Sequence, residues 1–351
     1  MSEPTPELSV ILPTLNEAAA LPALLADLAR QSGIALEVLL ADGGSSDASI
    51  ALAERAGARV VRAPRGRGAQ MNAAAAVARG EYLLFLHADS GLGSPLLLRD
   101  ALAALRADLA AHGGNAAGHF PLRFARSHAG HTLFYRGLEE KTALNRPITI
   151  NGDQGVLLRA SYFRALGGFD ERLPFLEDQR LAERIFATDR WVVLPGRLLT
   201  SARRFESEGH YRRYTLMAII MGMQASGVDQ FFARARGVYA AQNEAAQLDV
   251  RPYCLLVRSI LHETLWRGAA GISLRNGRFV RSQSWQIFYW CDVLLRPLLG
   301  PGRYPCLRFH DRVVHPLLDH GVADAIVGAF VVLWFVFLLP WGYTLQERLR
   351  G

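Results

Sequence analysis

About the first 90 residues of the chain repeat one pattern, in which a short apolar run is followed by a polar or glycine-rich turn and then by an amphipathic stretch with helical period. The apolar runs predict four strands, at residues 8–12, 37–41, 58–63 and 82–86. Buried strands that alternate with helices are typical of an α/β fold with a doubly wound, mostly parallel sheet. Ligands of such sheets bind at the carboxyl ends of the strands, so we look for functional residues there.

The composition narrows the classes of protein to which the chain can belong. Of its 351 residues, 50% are hydrophobic and 20% are charged, which excludes a wholly disordered or collagen-like chain. The formal net charge is +7, and Lys141 is the only lysine, so nearly all of the positive charge is arginine. Arginine suits bidentate contact with the phosphates of a nucleotide, an acidic lipid or a nucleic acid, although a preference for arginine also arises from genomic base composition.

The cysteines and the N-terminus exclude two further classes. Cys254, Cys291 and Cys306 form no C-x-x-C pair and have no histidine spacing that would close a zinc site, so neither a disulfide framework nor a structural metal is predicted. The N-terminal residues lack a basic region followed by an apolar run. No secretory signal is therefore predicted, and we expect the first domain to lie in the cytoplasm.

The C-terminal third differs in character. Residues 325–345 carry no charge and are long enough to cross a hydrocarbon core of ~30 Å, so they predict one transmembrane helix. The alternative is a buried core helix. Trp341 and Tyr343 favour the transmembrane helix, because tryptophan and tyrosine are enriched at membrane interfaces. The preceding apolar segments are rich in arginine and aromatic residues, which predicts either a membrane-interfacial extension or an ordinary helical subdomain. We expect three parts: an α/β domain over 1–210, a helical extension over 211–320, and a C-terminal helix with a short tail over 321–351.

Two acidic residues follow the second predicted strand. Asp42 opens the turn DGGSSD, so its carboxylate is expected to point into the crevice at the carboxyl edge, where it can accept a hydrogen bond from a nucleobase or a ribose hydroxyl. The alternative is that Asp42 or Asp47 only caps the next helix. We assign Asp42 to a ligand and Asp47 to capping.

The fourth predicted strand ends in a possible metal site. His87 and Asp89 are two residues apart on an extended segment, so their side chains face the same way. An imidazole and a carboxylate can share a divalent cation, Mn²⁺ or Mg²⁺, whose other ligands are diphosphate oxygens and water. The alternative is that Asp89 is a structural turn residue.

Two other segments contain candidate site residues. The stretch RGRGAQMN, residues 65–72, fits neither a P-loop nor a dinucleotide fingerprint, but its two arginines and a helix N-terminus would attract an anion. Further along, NGDQG precedes a strand, and Glu177 and Asp178 open a helix. Acids in a first helical turn are usually partners of the helix dipole, but a helix N-terminus in a cleft is also a place to hold a general base.

Taken in order, these segments resemble the family 2 inverting glycosyltransferases with the GT-A fold. The stretches that carry the resemblance lie between about residues 8 and 210 and are VILPTLNE, ADGGSSD, RGRGAQMN, LLFLHADS, GDQGVLLRASYFRALGGFDE and FLEDQRLAERI. The HAD and RRFE stretches are most similar to the bacterial members described as radical-SAM/selenodomain-associated glycosyltransferases. The resemblance does not extend to the last third of the chain.

The resemblance implies roles for individual residues. Asp178 would be the general base, with Glu177 beside it, and Asp89 would bind the metal, with His87 in place of the family's first acid. Contacts to the nucleotide sugar would come from Pro13, Thr14, Asn16, Glu17, Asp42, Gly68, Gln70, Asn72, Ala88, Asp153, Arg203 and Arg204. Two departures stand out: HAD replaces D-x-D, and no Q-x-x-R-W follows the base, which argues against a processive polysaccharide synthase.

The function implied is transfer of a sugar from a UDP- or GDP-linked donor, with inversion and with a divalent cation, to an acceptor such as a polyprenyl phosphate or another lipid. Such an enzyme would work at the inner (cytoplasmic) membrane, with its catalytic domain in the cytoplasm and without a nucleic-acid partner. Two alternatives stay open. A sugar-1-phosphate nucleotidyltransferase would need a G-x-G-T-R turn after the first strand, where this chain has LPTLNE. A non-catalytic sugar-nucleotide-binding membrane protein would explain the incomplete D-x-D.

Overall fold

The computed structural model describes residues 5–173, 175–240, 248–264, 266–339 and 341–342. The chain divides into two compact units, Met1–Ala202 and Arg203–Gly351. The first unit contains every strand of the described chain, and the second contains only helices among its described residues.

The first unit is built on two sheets. Its strands are β1 (Leu8–Thr14), β2 (Leu36–Asp42), β3 (Arg59–Arg62), β4 (Tyr82–Phe85), β5 (Gly91–Leu92), β6 (Ala116–His119), β7 (Leu122–Ala125), β8 (Val156–Arg159), β9 (Arg190–Val193) and β10 (Leu198–Ser201). The main sheet has the order β3-β2-β1-β4-β8-β6-β9, and the small one has the order β5-β10-β7. In the main sheet only β8 runs antiparallel to its neighbours. The mostly parallel sheet is therefore confirmed, with the four predicted strands as β1 to β4.

Helices cover both faces of the main sheet. They are α1 (Leu21–Ala29), α2 (Ser49–Arg55), α3 (Arg67–Val77), α4 (Leu97–His112), α5 (Thr132–Lys141), α6 (Ala160–Ala165) and α7 (Glu177–Thr188), with a short 3₁₀ helix at Gly152–Gln154.

The central strand β1 shows why the sheet is buried on both faces. Successive side chains of a strand point to opposite faces, and Leu8, Val10 and Leu12 pack in the cluster with the apolar sides of α1 and α4. Ile11 points the other way and packs in the cluster with residues of α3, α6 and α7. All seven residues of β1 are buried. The strand is thus fixed in a three-layer α/β/α core, and its carboxyl end is held rigidly.

The second unit consists of helices. They are α8 (Arg203–Glu208), α9 (His210–Ala225), α10 (Asp229–Ala240), α11 (Arg251–Glu263), α12 (Trp266–Ser282), α13 (Trp285–Leu294), α14 (Arg296–Leu299), α15 (Pro305–Phe309), α16 (His315–Leu318) and α17 (Gly321–Leu333). A π turn, His310–Val314, joins α15 to α16, and another, Trp334–Leu338, follows α17.

The closest packing in this unit is between α12 and α17. A Cβ atom on Gly277 would lie 1.9 Å from the carbonyl oxygen of Asp324, and one on Gly328 would lie 2.4 Å from the carbonyl oxygen of Ser273. Two helix backbones can approach this closely only where side chains are missing. Glycines at these positions therefore determine the contact.

The single transmembrane helix predicted over residues 325–345 is not found. Among the residues that the structure describes, no one helix is long and apolar enough to cross a membrane, and only the pair Pro305–Leu318 and Gly321–Leu333, bent by 100°, passes by length and composition together. Helix α17 ends at Leu333, and the chain continues from there as a π turn, Trp334–Leu338. Residues 340 and 343–345 of the predicted span, with Tyr343, lie outside the described residues.

Candidate active site

The carboxyl ends of β1 and β2 lie side by side, and their loops are joined. Thr14 is opposite Asp42 in the parallel register, and both are buried. The backbone N–H of Asn16 donates to Ser45 Oγ at 2.9 Å, and Asn16 Oδ1 accepts from the N–H of Ser46 at 2.8 Å. Asn16 has φ of +56°, a left-handed conformation that asparagine tolerates better than most residues. The predicted nucleotide contact Asn16 therefore ties the two loops together.

Asp42 sits at the end of β2 with its carboxylate turned into its own loop. The carboxylate accepts hydrogen bonds from the backbone N–H groups of Gly44 and Ser45, each at 3.0 Å. Burial by itself raises the pKa of the Asp42 carboxyl, but the bonds from Ser45 and Gly44 and the charge of Arg62 outweigh burial and lower that pKa. A buried anion thus lies at the crevice, where its Oδ2 accepts from the N–H groups of both Gly44 and Ser45, and its Oδ1 accepts from Ser45.

Asp47 lies one residue before Ala48, the N-cap of α2, and its carboxylate bonds to the first residue of that helix. Its Oδ1 accepts from the N–H of Ser49, the first residue of α2, at 3.0 Å. Its Oδ2 accepts from the N–H of Ala18 at 3.0 Å, so this carboxylate also holds the loop after β1. Glu17 joins the same network, because its backbone N–H donates to Ser49 Oγ at 2.9 Å.

Gln70, on α3, forms hydrogen bonds with the ends of both β1 and β2. Its side-chain amide is buried and donates to the carbonyl oxygens of Thr14 and Ala41 at 2.7 and 2.8 Å. A Cβ atom on Gly43 would lie 2.9 Å from Gln70 Cδ, so glycine leaves room for this side chain. Gln70 was predicted as a ligand contact, and the structure shows its amide group bonded to the backbone of β1 and β2.

Asn72 and Gly68 hold α3 against the loop that follows α6. Asn72 Nδ2 donates to the carbonyl oxygen of Phe169 at 2.9 Å and to Glu171 Oε1 at 2.8 Å, and Asn72 Oδ1 accepts from the N–H of Phe169 at 2.9 Å. A Cβ atom on Gly68 would lie 3.3 Å from the carbonyl oxygen of Asp170. These contacts fix the start of α3, where Arg67 is the first residue.

An ion pair links the start of α3 to the start of α7. Arg67 Nε lies 2.8 Å from Glu177 Oε1, and the side chain of Glu177 is only 2% exposed, whereas that of Arg67 is 44% exposed. Burial raises the pKa of the Glu177 carboxyl, the charge of Arg67 lowers it, and the neighbouring charge of Asp178 raises it, with a net increase. Burial opposes the Arg67 charge, but Glu177, Asp178 and Asp153 outweigh it and raise the pKa of Arg67.

Asp178 and His87 converge on one backbone position, Gly152. Asp178 Oδ2 accepts from the N–H of Gly152 at 2.5 Å, and its Oδ1 accepts from the N–H of Gln179 at 2.9 Å. A Cβ atom on Gly152 would lie 3.0 Å from both Asp178 Oδ2 and His87 Nε2. The side chains from the end of β4 and the start of α7 therefore meet at the 3₁₀ turn, and a Cβ atom at position 152 would make tight contacts with both.

His87 is bonded to the neighbouring acid of that turn. Its Nδ1 lies 2.7 Å from Asp153 Oδ1. Burial would lower the pKa of His87, but the hydrogen bond and charge of Asp153 outweigh burial, and the net direction is upward. His87 is half-buried and Asp89 is exposed, so the two ends of HAD differ in surroundings, and Ala88 between them is buried.

Whether His87, Asp89 and their neighbours fit a metal ion depends on how many donor side chains converge there. Among the described residues, no group of three or more His, Cys, Asp or Glu side chains is placed to hold a metal ion. His87 uses Nδ1 for Asp153, which leaves Asp89 as an exposed hard oxygen donor of the kind that Mn²⁺ and Mg²⁺ accept. The residues present therefore fit a cation only if the substrate supplies most of its ligands.

Two residues close in sequence to Gly152 and Glu177 have strained backbone conformations. Ile148 has φ of +70° and Leu176, which directly precedes Glu177, has φ of +65°. A branched or bulky residue in this region is uncommon and is held there only by its surroundings, at a cost of about 1–3 kcal/mol. Buried Gln179 supplies one such constraint, because its Nε2 donates to the carbonyl oxygen of Ile150 at 2.6 Å and to Asn151 Oδ1 at 2.7 Å.

All but two of the predicted site residues lie in the first unit, most of them in two groups, one at the ends of β1 and β2 and one around Gly152. Pro13 and Thr14 end β1, and Asp42, His87, Asp153, Glu177 and Asp178 occupy the carboxyl edge or the turns beside it. Arg203 and Arg204 begin α8 in the second unit, and their role stays a prediction. The ion pair of Arg67 with Glu177 was not predicted, although the arginines of RGRG were singled out. Gly152 and Gln179 lie in the quoted stretches NGDQG and FLEDQRLAERI, but no role was predicted for either.

Sequence comparison relates part of the chain to known proteins. Residues 9–167 match the family model described as Glycosyl transferase family 2. The chain is 40% identical over 94 residues to the PGL/p-HBAD biosynthesis glycosyltransferases of Mycobacterium bovis (strain BCG / Pasteur 1173P2) and Mycobacterium tuberculosis (strain ATCC 25177 / H37Ra). Each alignment covers 25% of this chain and 37% of the relative, so the match spans little more than a third of these relatives.

Structure comparison finds more extended but weaker likeness. S. aureus TarS 1-349 in complex with UDP covers 94% of this chain and 91% of its own, with a TM-score of 0.49 and 17% identity. The mannosyltransferase PcManGT from Pyrobaculum calidifontis, in complex with GDP-Man and Mn²⁺, covers 94% of this chain and 87% of its own, with a TM-score of 0.46 and 20% identity. The sequence match is the more specific finding, and it shows that the chain contains, over residues 9–167, a region similar to glycosyl transferase family 2.

Proposed function

We propose that the chain is an inverting glycosyltransferase of GT-A type that uses a UDP- or GDP-linked sugar. The single observation that supports this best is the convergence of Asp178 and His87 on Gly152, beside the Arg67–Glu177 pair. It places a carboxylate and two groups able to carry positive charge at the carboxyl edge of a doubly wound sheet, within a unit that contains a family 2 match.

The proposed chemistry assigns one task to each group. Asp42 accepts hydrogen bonds from the nucleoside, and Arg67 offsets the negative charge of the diphosphate. Asp178 takes the proton of the acceptor hydroxyl while that oxygen attacks the anomeric carbon, and the nucleoside diphosphate leaves from the opposite face. One such displacement inverts the anomeric configuration. A divalent cation, held by Asp89 with His87 and by the substrate, would neutralise the leaving group.

The acceptor and the location are part of the same proposal. We infer a lipid acceptor that carries a free hydroxyl group, such as a lipid-linked sugar, at the cytoplasmic face of the inner membrane. Support comes from the arginine-rich, apolar composition of the C-terminal third and from the large apolar side chains exposed on the second unit. We also propose that the chain belongs to the radical-SAM/selenodomain-associated subgroup, which the HAD and RRFE stretches support.

The test is a donor panel on the full-length protein. Radiolabelled UDP-glucose, UDP-N-acetylglucosamine and GDP-mannose are incubated with the protein and a lipid extract from cells, with Mn²⁺ or with EDTA. The proposal expects release of the nucleoside diphosphate together with a labelled lipid from one donor, and an inverted anomeric signal by NMR. Donor binding without release from any donor, in the presence of a lipid extract from cells, would favour a non-catalytic sugar-nucleotide-binding protein instead.

A further inference from the structure

The surface of the second unit carries an apolar stripe along α17 and the π turn after it. Large side chains recur about every fourth residue and are exposed: Val322 by 67%, Ile326 by 66%, Phe330 by 58%, Trp334 by 42% and Leu338 by 41%. We call these five residues the outer stripe. Contiguous apolar surface of this kind marks an interaction site in a folded protein.

The acid of α17 lies on the side of the helix opposite to the outer stripe. Asp324 is the only charged residue between positions 321 and 342, and its carboxylate is 2% exposed. It is paired with Arg281 Nε at 2.5 Å and with Arg278 Nε at 3.3 Å, both on α12. The one acid of the segment is thus neutralised inside the helix pair, and no charge opposes transfer of the outer stripe into an apolar phase.

A second stripe with positive charge precedes it. Phe309, Val313 and Leu317 are spaced four residues apart on the continuous run of α15, π turn and α16, and they are exposed by 53, 40 and 69%. Arg308 and Arg312 are exposed beside them. Apolar side chains next to arginines are typical of surfaces that bind an anionic membrane interface.

The net charge of the second unit favours an anionic lipid surface over a second copy of the chain as the partner of this surface. Residues 203–351 contain 18 arginines and 11 acidic residues, a net charge of +7, so two copies of this unit would repel each other while an anionic lipid surface attracts it. Tryptophan is also enriched at membrane interfaces, and Trp334 and Trp341 are both exposed.

We propose that the outer stripe docks in the plane of an anionic lipid bilayer, with Arg308 and Arg312 against the headgroups. This inference builds on the membrane location proposed above, but it does not depend on sugar transfer. The apolar side chains enter the boundary between headgroups and acyl chains, and no helix needs to cross the bilayer.

The test measures partitioning of the full-length protein in a flotation assay. Vesicles of phosphatidylglycerol and phosphatidylethanolamine are compared with vesicles of phosphatidylcholine alone. The variant Ile326→Gln/Phe330→Gln is expected to lower the partition coefficient on anionic vesicles at least about tenfold. Arg308→Gln/Arg312→Gln is expected to remove most of the preference for anionic vesicles, and high salt is expected to do the same.

The matched control is Val77→Gln/Leu133→Gln, which changes two exposed apolar residues of the first unit (38 and 42%) and should leave flotation unchanged. Thermal melting of each variant shows that it is folded. Wild-type flotation by the glutamine variant of the outer stripe would overturn the proposal. So would a wild-type dimer that ignores vesicles and that Ile326→Gln/Phe330→Gln converts to a monomer. Donor hydrolysis on the same samples tests the proposed function separately, so either can fail alone.

Discussion

The two units of this chain differ most clearly in charge and in exposed apolar surface. Residues 1–202 contain 21 basic and 21 acidic residues, whereas residues 203–351 hold the whole net charge of +7. Among the described residues, three of the exposed large apolar side chains belong to the first unit and nineteen to the second. In the first unit, the pairs Arg67–Glu177 and His87–Asp153 lie at the carboxyl edge of the main sheet or in the turns beside it. The second presents arginine and apolar residues to its surroundings, which is the pattern of a surface that binds something large and anionic.

The largest expected effect is a loss of sugar transfer when Asp178 is changed, which would show that the chemistry depends on the first unit. Asp178→Asn keeps the size of the side chain and removes its basicity, so we expect sugar transfer to fall by about 10²–10⁴-fold with donor affinity near the wild-type value. Transfer rates and donor binding by calorimetry provide the measurements. Asparagine has one acceptor oxygen for the two N–H groups of Gly152 and Gln179, so a melting curve should accompany the assay.

Its control is Glu183→Gln, which removes an exposed acid from the same helix, α7, where Glu183 forms an ion pair with the exposed Arg180. That variant should retain full transfer. Undiminished turnover in Asp178→Asn would move the general base elsewhere.

The second prediction concerns the helix pair of the second unit. Gly328→Ala would place a Cβ atom 2.4 Å from the carbonyl oxygen of Ser273, a backbone atom that cannot turn away. We expect the unfolding free energy to drop by about 1–3 kcal/mol, as for other overpacked contacts, and we expect the outer stripe to lose its vesicle binding in step. Chemical denaturation and flotation are the measurements.

Gly321→Ala is the matched control, since no atom lies within 4 Å of a Cβ there. It should leave stability unchanged or raise it by a few tenths of a kcal/mol. Equal behaviour of the two alanine variants would mean that α12 and α17 are not in backbone contact.

A third prediction tests the support of the nucleotide end of the site. Gln70→Ala removes the amide that bonds the carbonyl oxygens of Thr14 and Ala41, so we expect a loss of about 1–3 kcal/mol in unfolding free energy and weaker donor binding. Denaturant melts and donor titration check it. An unchanged donor affinity in a destabilised variant would show that the ends of β1 and β2 keep their geometry without Gln70.

The smallest effect is a change with pH. The pKa of Glu177 is raised in the folded protein, chiefly by burial, so protonation is favoured by folding and its contribution to stability is present below the ordinary pKa of about 4.3. That contribution is lost as the pH rises through the higher folded pKa. Glu177→Gln cannot titrate, so the wild-type protein should lose stability relative to this variant over that window. Parallel stability curves from acid to neutral pH would contradict a raised pKa of Glu177.

Parts of this architecture could be predicted from the sequence because they depend on local pattern. The runs at 8–12, 37–41, 58–63 and 82–86 are short, apolar and bounded by turn residues, and each forms a strand of the main sheet. Parallel strands share one carboxyl edge, so the positions of Asp42 and His87 near the site follow from the strand pattern alone. The single helix predicted over 325–345 is not found among the described residues, because a run of uncharged residues does not report where a helix starts, bends or packs.

The sequence by itself thus determined the alternation of strands and helices, the edge that carries the acids, and the concentration of arginine and apolar residues in the last third. Only the tertiary structure decided which groups meet: Arg67 pairs with Glu177 110 residues away, Asp178 and His87 meet at Gly152, and Asp324 is enclosed by arginines of α12. The physical reason is that hydrophobic periodicity is a local property and fixes elements, whereas pairing of buried charges depends on loop conformations and close backbone approaches that packing alone sets.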